Sequence, residues 1–96
     1  MRILIADMGE SIDSSIKKLI NSNGKIKNFY KYLNDPILIK ENISKYNYDI
    51  IAVNCEHPRG KSIAALLHEK KNNNEISSTI AEVYQNNEKQ IVKTYK

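Results

Sequence analysis

The fold is decided by the stretch Tyr48-Asp49-Ile50-Ile51-Ala52-Val53-Asn54-Cys55-Glu56-His57-Pro58-Arg59-Gly60-Lys61-Ser62. Its apolar run, Ile50 to Val53, has the length of a strand that is buried on both faces. Polar residues and a proline end the run, and a helical pattern follows, in which Pro58 suits the first turn because a helix needs no N–H there. Ligands of open α/β sheets bind outside the carboxyl ends of parallel strands, so the sequence predicts a site at this corner.

On either side of this stretch, strand patterns alternate with helix patterns. Short connections between them imply a parallel sheet with right-handed crossovers. We therefore expect one α/β domain over residues 1–96, a three-layer sandwich with a four-stranded parallel sheet in the flavodoxin-like order 2-1-3-4. The predicted strands lie near residues 2–7, over Lys25 to Leu33, at Ile50 to Val53 and over Ile76 to Tyr84.

Three helices are predicted between these strands. The first begins near Ser11 and stops at Asn23-Gly24, and the second begins at Pro36 with Asp35 as its N-cap. The third runs from Pro58 to Lys70. The predicted buried face is formed by Ile39, Ile43 and Tyr46 in the second helix and by Ile63, Leu66 and Leu67 in the third. In the third helix, Ala64 and Ala65 are expected to allow close approach to the sheet. The segment from Glu88 to Lys96 fits a short helix or the second strand of a hairpin, and the βα rhythm favours the helix.

Composition excludes several classes of function. The net charge of +4 comes from 15 basic and 11 acidic residues, and the lysines are scattered among asparagines. Nucleic-acid surfaces usually cluster their basic residues, so a nucleic-acid partner is not expected. No run approaches the roughly 18 apolar residues of a membrane span. A single cysteine excludes an internal disulfide and is typical of a protein in the cytoplasm.

Candidate site residues surround the corner after Val53. Asp7 ends the first strand and should face Asn54 across the switch point, where it either holds a cation or caps a helix. Cys55 is either a small buried hydrophobe or a nucleophile activated by His57 and the helix N-terminus. The candidate anion-binding residues at the helix start are Arg59, Gly60, Lys61 and Ser62. The two histidines lack metal-pair spacing, so neither a metal beyond Asp7 nor a cofactor is predicted.

The chain resembles a two-component receiver domain. Its first 24 residues match the opening of that family without a gap, and Asp7 takes one of the acidic places that hold magnesium. Asn54 stands where the family has its phosphate-accepting aspartate, and Pro58 and Gly60 keep the pattern that follows. The next two magnesium-site positions carry no acid, and the family's fourth-strand hydroxyl and fifth-strand lysine have no match. The resemblance implies a receiver-like domain that cannot be phosphorylated in the usual way.

A second resemblance is to type B ribose-5-phosphate isomerases. Cys55, Gly60 and Ser62-Ile63-Ala64-Ala65 keep the register of that family's turn. The resemblance implies that Cys55 acts as a base between adjacent sugar carbons, while loop amides stabilise the enediolate. In this chain Glu56-His57-Pro58-Arg59 replaces the small residues that let the backbone approach the sugar.

Two shorter likenesses concern the same corner. Gly60-Lys61-Ser62 is similar to the end of a phosphate-binding P-loop, although Cys55 stands where a full loop has its first glycine. Asp7-x-Gly9 and His57 resemble the aspartate and histidine motifs of subtilisin-like proteases. The chain is too short to contain the serine portion of that family, so this likeness implies an inactive fragment or subunit.

The sequence thus favours a non-catalytic, receiver-like module that contacts another protein or a second copy of itself. The alternatives are an enzyme acting on a sugar phosphate through Cys55, and an inactive protease fragment.

Overall fold

The computed structural model describes residues 1–7, 29–86 and 89–96. The predicted first helix, from Ser11 to Gly24, lies outside these residues. Within them the chain forms five strands and two helices. In chain order these are β1 (Arg2–Ala6), β2 (Phe29–Leu33), α1 (Pro36–Lys45), β3 (Ile50–Asn54), α2 (Pro58–Asn72), β4 (Thr79–Asn86) and β5 (Lys89–Tyr95).

The strands form one mixed sheet in the order β2-β1-β3-β4-β5. The pairs β1–β2, β1–β3 and β3–β4 are parallel, whereas β4 and β5 are antiparallel. The α/β class is confirmed. The prediction of a four-stranded, wholly parallel sheet is wrong, because the described strands number five and the last one reverses direction.

The reversal comes from the end of the chain, for which the helix was the favoured prediction. That prediction is wrong, because Lys89–Tyr95 turns back along β4 as a hairpin. The β-branched residues Ile91, Val92 and Thr94 favour an extended backbone. Val92 lies opposite Val83 and packs against the apolar cluster on that side of the sheet, which is a contact that a helix would give up.

Helix α1 begins as predicted and ends earlier than its apolar pattern suggests. The side chain of Asp35 accepts a hydrogen bond from the N–H of Ile37 at 2.9 Å, and Pro36 follows it in the first turn. The backbone of Tyr46 is already extended, so its side chain leaves the helix face and is 51% exposed. The prediction that Tyr46 is buried is wrong, and Tyr48 is buried instead, with its hydroxyl donating to Asn42 Oδ1 at 3.1 Å.

Two apolar clusters lie on the two faces of the sheet. Because side chains alternate along a strand, Leu4 and Ala6 face the helices while Ile3 and Ile5 face away from them. The helix-side cluster includes Ile39 and Ile43 of α1, and Ile63, Ala64 and Leu67 of α2. Ile3, Ile5, Ala52, Ala81 and Val83 form the other cluster. Both α1 and α2 pack on the first cluster, and the remaining predicted helix, from Ser11 to Gly24, lies outside the described residues.

Candidate functional site

The predicted corner is assembled where β1 and β3 end. Ala6 and Val53 are register partners in this parallel pair, so the residues that follow them, Asp7 and Asn54, emerge side by side. Asn54 Nδ2 donates a hydrogen bond to Asp7 Oδ1 at 3.1 Å. Asp7 is 1% exposed and Asn54 is 4% exposed, so this carboxylate–amide contact is buried.

The orientation of the Asn54 amide is fixed from both of its ends. While Nδ2 donates to the carboxylate, Oδ1 accepts a hydrogen bond from the N–H of Glu56 at 3.1 Å. A flipped amide would turn its oxygen toward a carboxylate and its NH₂ toward an N–H donor, so both contacts would be lost. The turn after β3 is therefore held by the Asn54 side chain.

Gly60 brings the first turn of α2 against this corner. A Cβ atom at position 60 would lie 1.7 Å from the carbonyl oxygen of Asn54 and 2.9 Å from its carbon, so no larger residue fits without a backbone shift. The prediction that Ala65 allows close approach of this helix is wrong, because Ala65 is exposed. Close approach is made at Gly60 and Ala64, both of which are buried.

The candidate anion-binding residues do not converge on one point. Arg59 and Lys61 are two positions apart in α2, so their side chains leave opposite sides of the helix. The N–H of Arg59 donates to His57 Nδ1 at 3.2 Å, which makes His57 the N-cap. Ser62 Oγ donates to the carbonyl of Pro58 at 3.3 Å. The helix start is thus closed by its own capping contacts.

Cys55 lies beneath the corner and is only 1% exposed. Its N–H donates to the carbonyl of Val83 at 2.9 Å, which anchors the turn to β4. Burial, reinforced by the negative charge of Glu82, raises the pKa of the thiol. A nucleophilic or basic cysteine needs a lowered pKa, so this environment favours a neutral, inert side chain.

A second polar cluster, which was not predicted from the sequence, surrounds Glu82 on the helix side of β4. Its Oε2 lies 2.5 Å from His68 Nε2 of α2, and its Oε1 accepts a hydrogen bond from the Tyr84 hydroxyl at 2.6 Å. Tyr95 of β5 donates to the same Oε1 over 3.4 Å, and its ring lies edge-to-face with that of His68 at 4.6 Å. The carboxylate therefore joins α2, β4 and β5.

These contacts hold the carboxylate in its charged form. Burial raises the pKa of Glu82, but the hydrogen bonds from Tyr84, His68 and Tyr95 together outweigh burial, and the net pKa is lowered. The hydrogen bond to Glu82 raises the pKa of Tyr84, and burial followed by the same charge raises that of Tyr95. With three donors on one buried carboxylate, the arrangement is typical of a structural hydrogen-bond network and not of a catalytic acid or base.

The sequence did carry a signal for this cluster. Glu82 interrupts the apolar strand Ile80-Ala81-Glu82-Val83, at a position that the strand period places toward α2. A buried carboxylate requires partners, and His68 was available on the preceding helix.

Residues 1–7, 29–86 and 89–96 contain neither a metal-binding cluster nor a helix that could cross a membrane. There, no three His, Cys, Asp or Glu side chains are grouped so that they could hold a metal ion. Among the same residues, neither α1 nor α2 is long and apolar enough to cross a membrane.

Comparison with protein-family models, with curated proteins and with solved structures finds no match to this chain in any of the three.

Proposed function

We propose that the protein is a non-catalytic, receiver-like regulatory module of flavodoxin-like architecture, which acts by contacting another protein or a second copy of itself. The observation that carries the proposal is the hydrogen bond between Asn54 Nδ2 and Asp7 Oδ1 at 3.1 Å. It supports the proposal because an amide occupies the place in which the resembled family carries its acceptor carboxylate. A cytoplasmic location, inferred from the single unpaired cysteine, is part of the same proposal.

The chemistry of the amide explains why no phosphotransfer is expected. Formation of an acyl phosphate needs a carboxylate oxygen that attacks phosphorus, and the amide of Asn54 has none. Its nitrogen donates to Asp7, and its oxygen accepts from the N–H of Glu56. Asp7 does carry a carboxylate, but it is 1% exposed and therefore inaccessible to a phosphodonor.

The test is incubation of the full chain with acetyl phosphate and Mg²⁺, followed by intact-mass measurement. We expect no phosphoryl adduct that hydroxylamine removes. A phosphorylatable receiver domain treated in parallel establishes that the donor is active, and the Cys55→Ala variant removes the thiol as a competing acceptor. A stoichiometric acyl phosphate on the chain would overturn the proposal.

The isomerase-like alternative is not favoured by the surroundings of Cys55. A base that moves a proton between sugar carbons must reach the substrate, and this thiol is 1% exposed. Its raised pKa also leaves less of the thiol in the thiolate form, which is the form that accepts a proton. The protease-fragment alternative has no support from His57, whose Nδ1 accepts the N–H of Arg59.

A further inference from the structure

A groove of about 260 Å³ separates the N-terminal halves of α1 and α2. Proline and lysine from α1 form one wall, and an arginine, a serine and two aliphatic residues from α2 form the other. The lining residues are Pro36, Lys40, Arg59, Ser62, Ile63 and Leu66.

The charges in this groove have one sign. Lys40 and Arg59 are its two ionised side chains, and neither forms an ion pair within the described residues. The dipole of α2 has its positive end at the first turn, and it adds partial positive charge at the Arg59 end of the groove. Both charged side chains that line the groove are therefore positive, and neither is paired with a carboxylate among the described residues.

The outer edge of the groove is apolar and exposed. Ile37 lies three positions before the groove residue Lys40, so the two side chains are neighbours on the surface of α1. It is 67% exposed, the highest value among the large hydrophobic side chains that the structure describes as exposed. Exposed apolar surface beside a groove is typical of an interaction site.

We propose that this groove binds an acidic, apolar-containing peptide segment of a protein partner. The inference rests on the proposed function, because it names the kind of partner that the module contacts. Apolar side chains of the segment pack on Ile37 and Leu66, while its carboxylates pair with Lys40 and with Arg59. The planar guanidinium of Arg59 suits a bidentate contact with a carboxylate.

The experiment is a selection of random linear peptides displayed on phage, with the full chain as bait. The same library is selected in parallel against Lys40→Glu/Arg59→Glu, which reverses both groove charges, and against Lys61→Glu. Lys61 is exposed on the opposite side of α2, so Lys61→Glu is a charge-matched control for Arg59→Glu. Circular dichroism checks that each variant is folded.

We expect the wild type and Lys61→Glu to enrich peptides that combine Asp or Glu with aliphatic or aromatic residues. The consensus peptide should bind Arg59→Glu at least about tenfold more weakly, the factor that corresponds to ~1.4 kcal/mol. Its amide chemical-shift changes in the wild type should centre on α1 and the first half of α2. A Lys40→Gln/Arg59→Gln variant, which removes charge without reversing it, should bind with intermediate affinity.

Four outcomes would overturn the inference. The first is that the selection enriches no peptide, or only peptides without acidic residues. The second is that Lys61→Glu weakens binding of the consensus peptide as much as Arg59→Glu does. The third is that the amide chemical-shift changes lie away from the groove. The fourth is concentration-dependent self-association that Arg59→Glu abolishes, because the occupant would then be a second copy of the chain. The acetyl phosphate test involves the Asp7–Asn54 corner and not the groove, so failures of the two proposals are distinguishable.

Discussion

The Asn54→Asp variant tests the corner directly, because it changes the chemistry of the side chain and hardly its shape. In the wild type Asn54 Nδ2 donates to Asp7 Oδ1 at 3.1 Å, with both residues buried. The variant places two carboxyl groups against each other at this position.

The size of the effect follows from the distance. Two unit charges 3.1 Å apart repel by about 5 kcal/mol at an effective dielectric constant of ~20. The pair can avoid this repulsion by binding a proton, which costs about 4 kcal/mol near pH 7 for a carboxyl group with an ordinary pKa of ~3.9. Protonation is the less unfavourable route, so the loss of stability near pH 7 should approach but not exceed about 4 kcal/mol.

The pH dependence has a definite sign. Repulsion raises the pKa of one carboxyl group of the variant above its unfolded value, so the folded state binds more protons than the unfolded state between the two values. Stability of the variant relative to the wild type therefore falls as pH rises through this window. Near pH 4 the deficit should shrink to below about 1 kcal/mol, since the acid is then roughly half protonated even when unfolded.

The measurement is urea unfolding followed by far-UV circular dichroism near pH 4 and near pH 7, with wild type and Asn54→Ala alongside. Asn54→Ala removes the hydrogen bond without adding charge, so its deficit should be about 1–3 kcal/mol and change much less with pH. If Asn54→Asp loses the same stability at both pH values, or none near pH 7, the buried contact with Asp7 is not what holds this corner.

Three further predictions concern separate residues. Gly60→Ala should lower the free energy of unfolding in urea by roughly 3 kcal/mol or more, because the added Cβ would lie 1.7 Å from the carbonyl oxygen of Asn54. Replacing glycine by alanine within a helix usually stabilises a protein, so a stabilised variant would contradict this contact. Because the pKa of Glu82 is lowered on folding, its stabilising contribution should be full above the unfolded value of 4.5 and decline as pH falls below it. The free energy of unfolding of Glu82→Gln should therefore lie furthest below that of the wild type near neutral pH and approach it in acid. The exposed Glu69→Gln variant should have nearly the wild-type free energy of unfolding at every pH. Iodoacetamide should alkylate Cys55 far more slowly in the folded chain than in urea at pH 8, since the thiol is 1% exposed and its pKa is raised; equal rates would show that the thiol is open to solvent.

Local signals in the sequence predicted the parts of the fold that depend on neighbouring residues. The helix starts at Pro36 and Pro58 were readable because proline and its capping residue act within one turn. The meeting of Asp7 with Asn54 was also predictable, since the carboxyl ends of adjacent parallel strands share one edge of the sheet.

Features decided by tertiary contacts were not readable in this way. Tyr46 fits the apolar spacing of α1, yet the helix ends one residue before it, and helix ends are poorly specified by periodicity. The hairpin of β5 depends on pairing with β4, which periodicity over Glu88 to Lys96 could not distinguish from a helix. The Glu82 cluster draws its donors from three elements, so a lone acid in a strand indicated that partners exist without identifying them.

The wide separation of Asp7 and Asn54 along the chain has a consequence for synthesis on the ribosome. These residues are 47 positions apart, and β1 is made first. At a synthesis rate of roughly 5–20 residues per second, several seconds pass between the synthesis of β1 and that of β3. During that time the nascent chain carries the apolar run Ile3 to Ala6 without its central neighbour, so we expect this run to be a binding site for a chaperone.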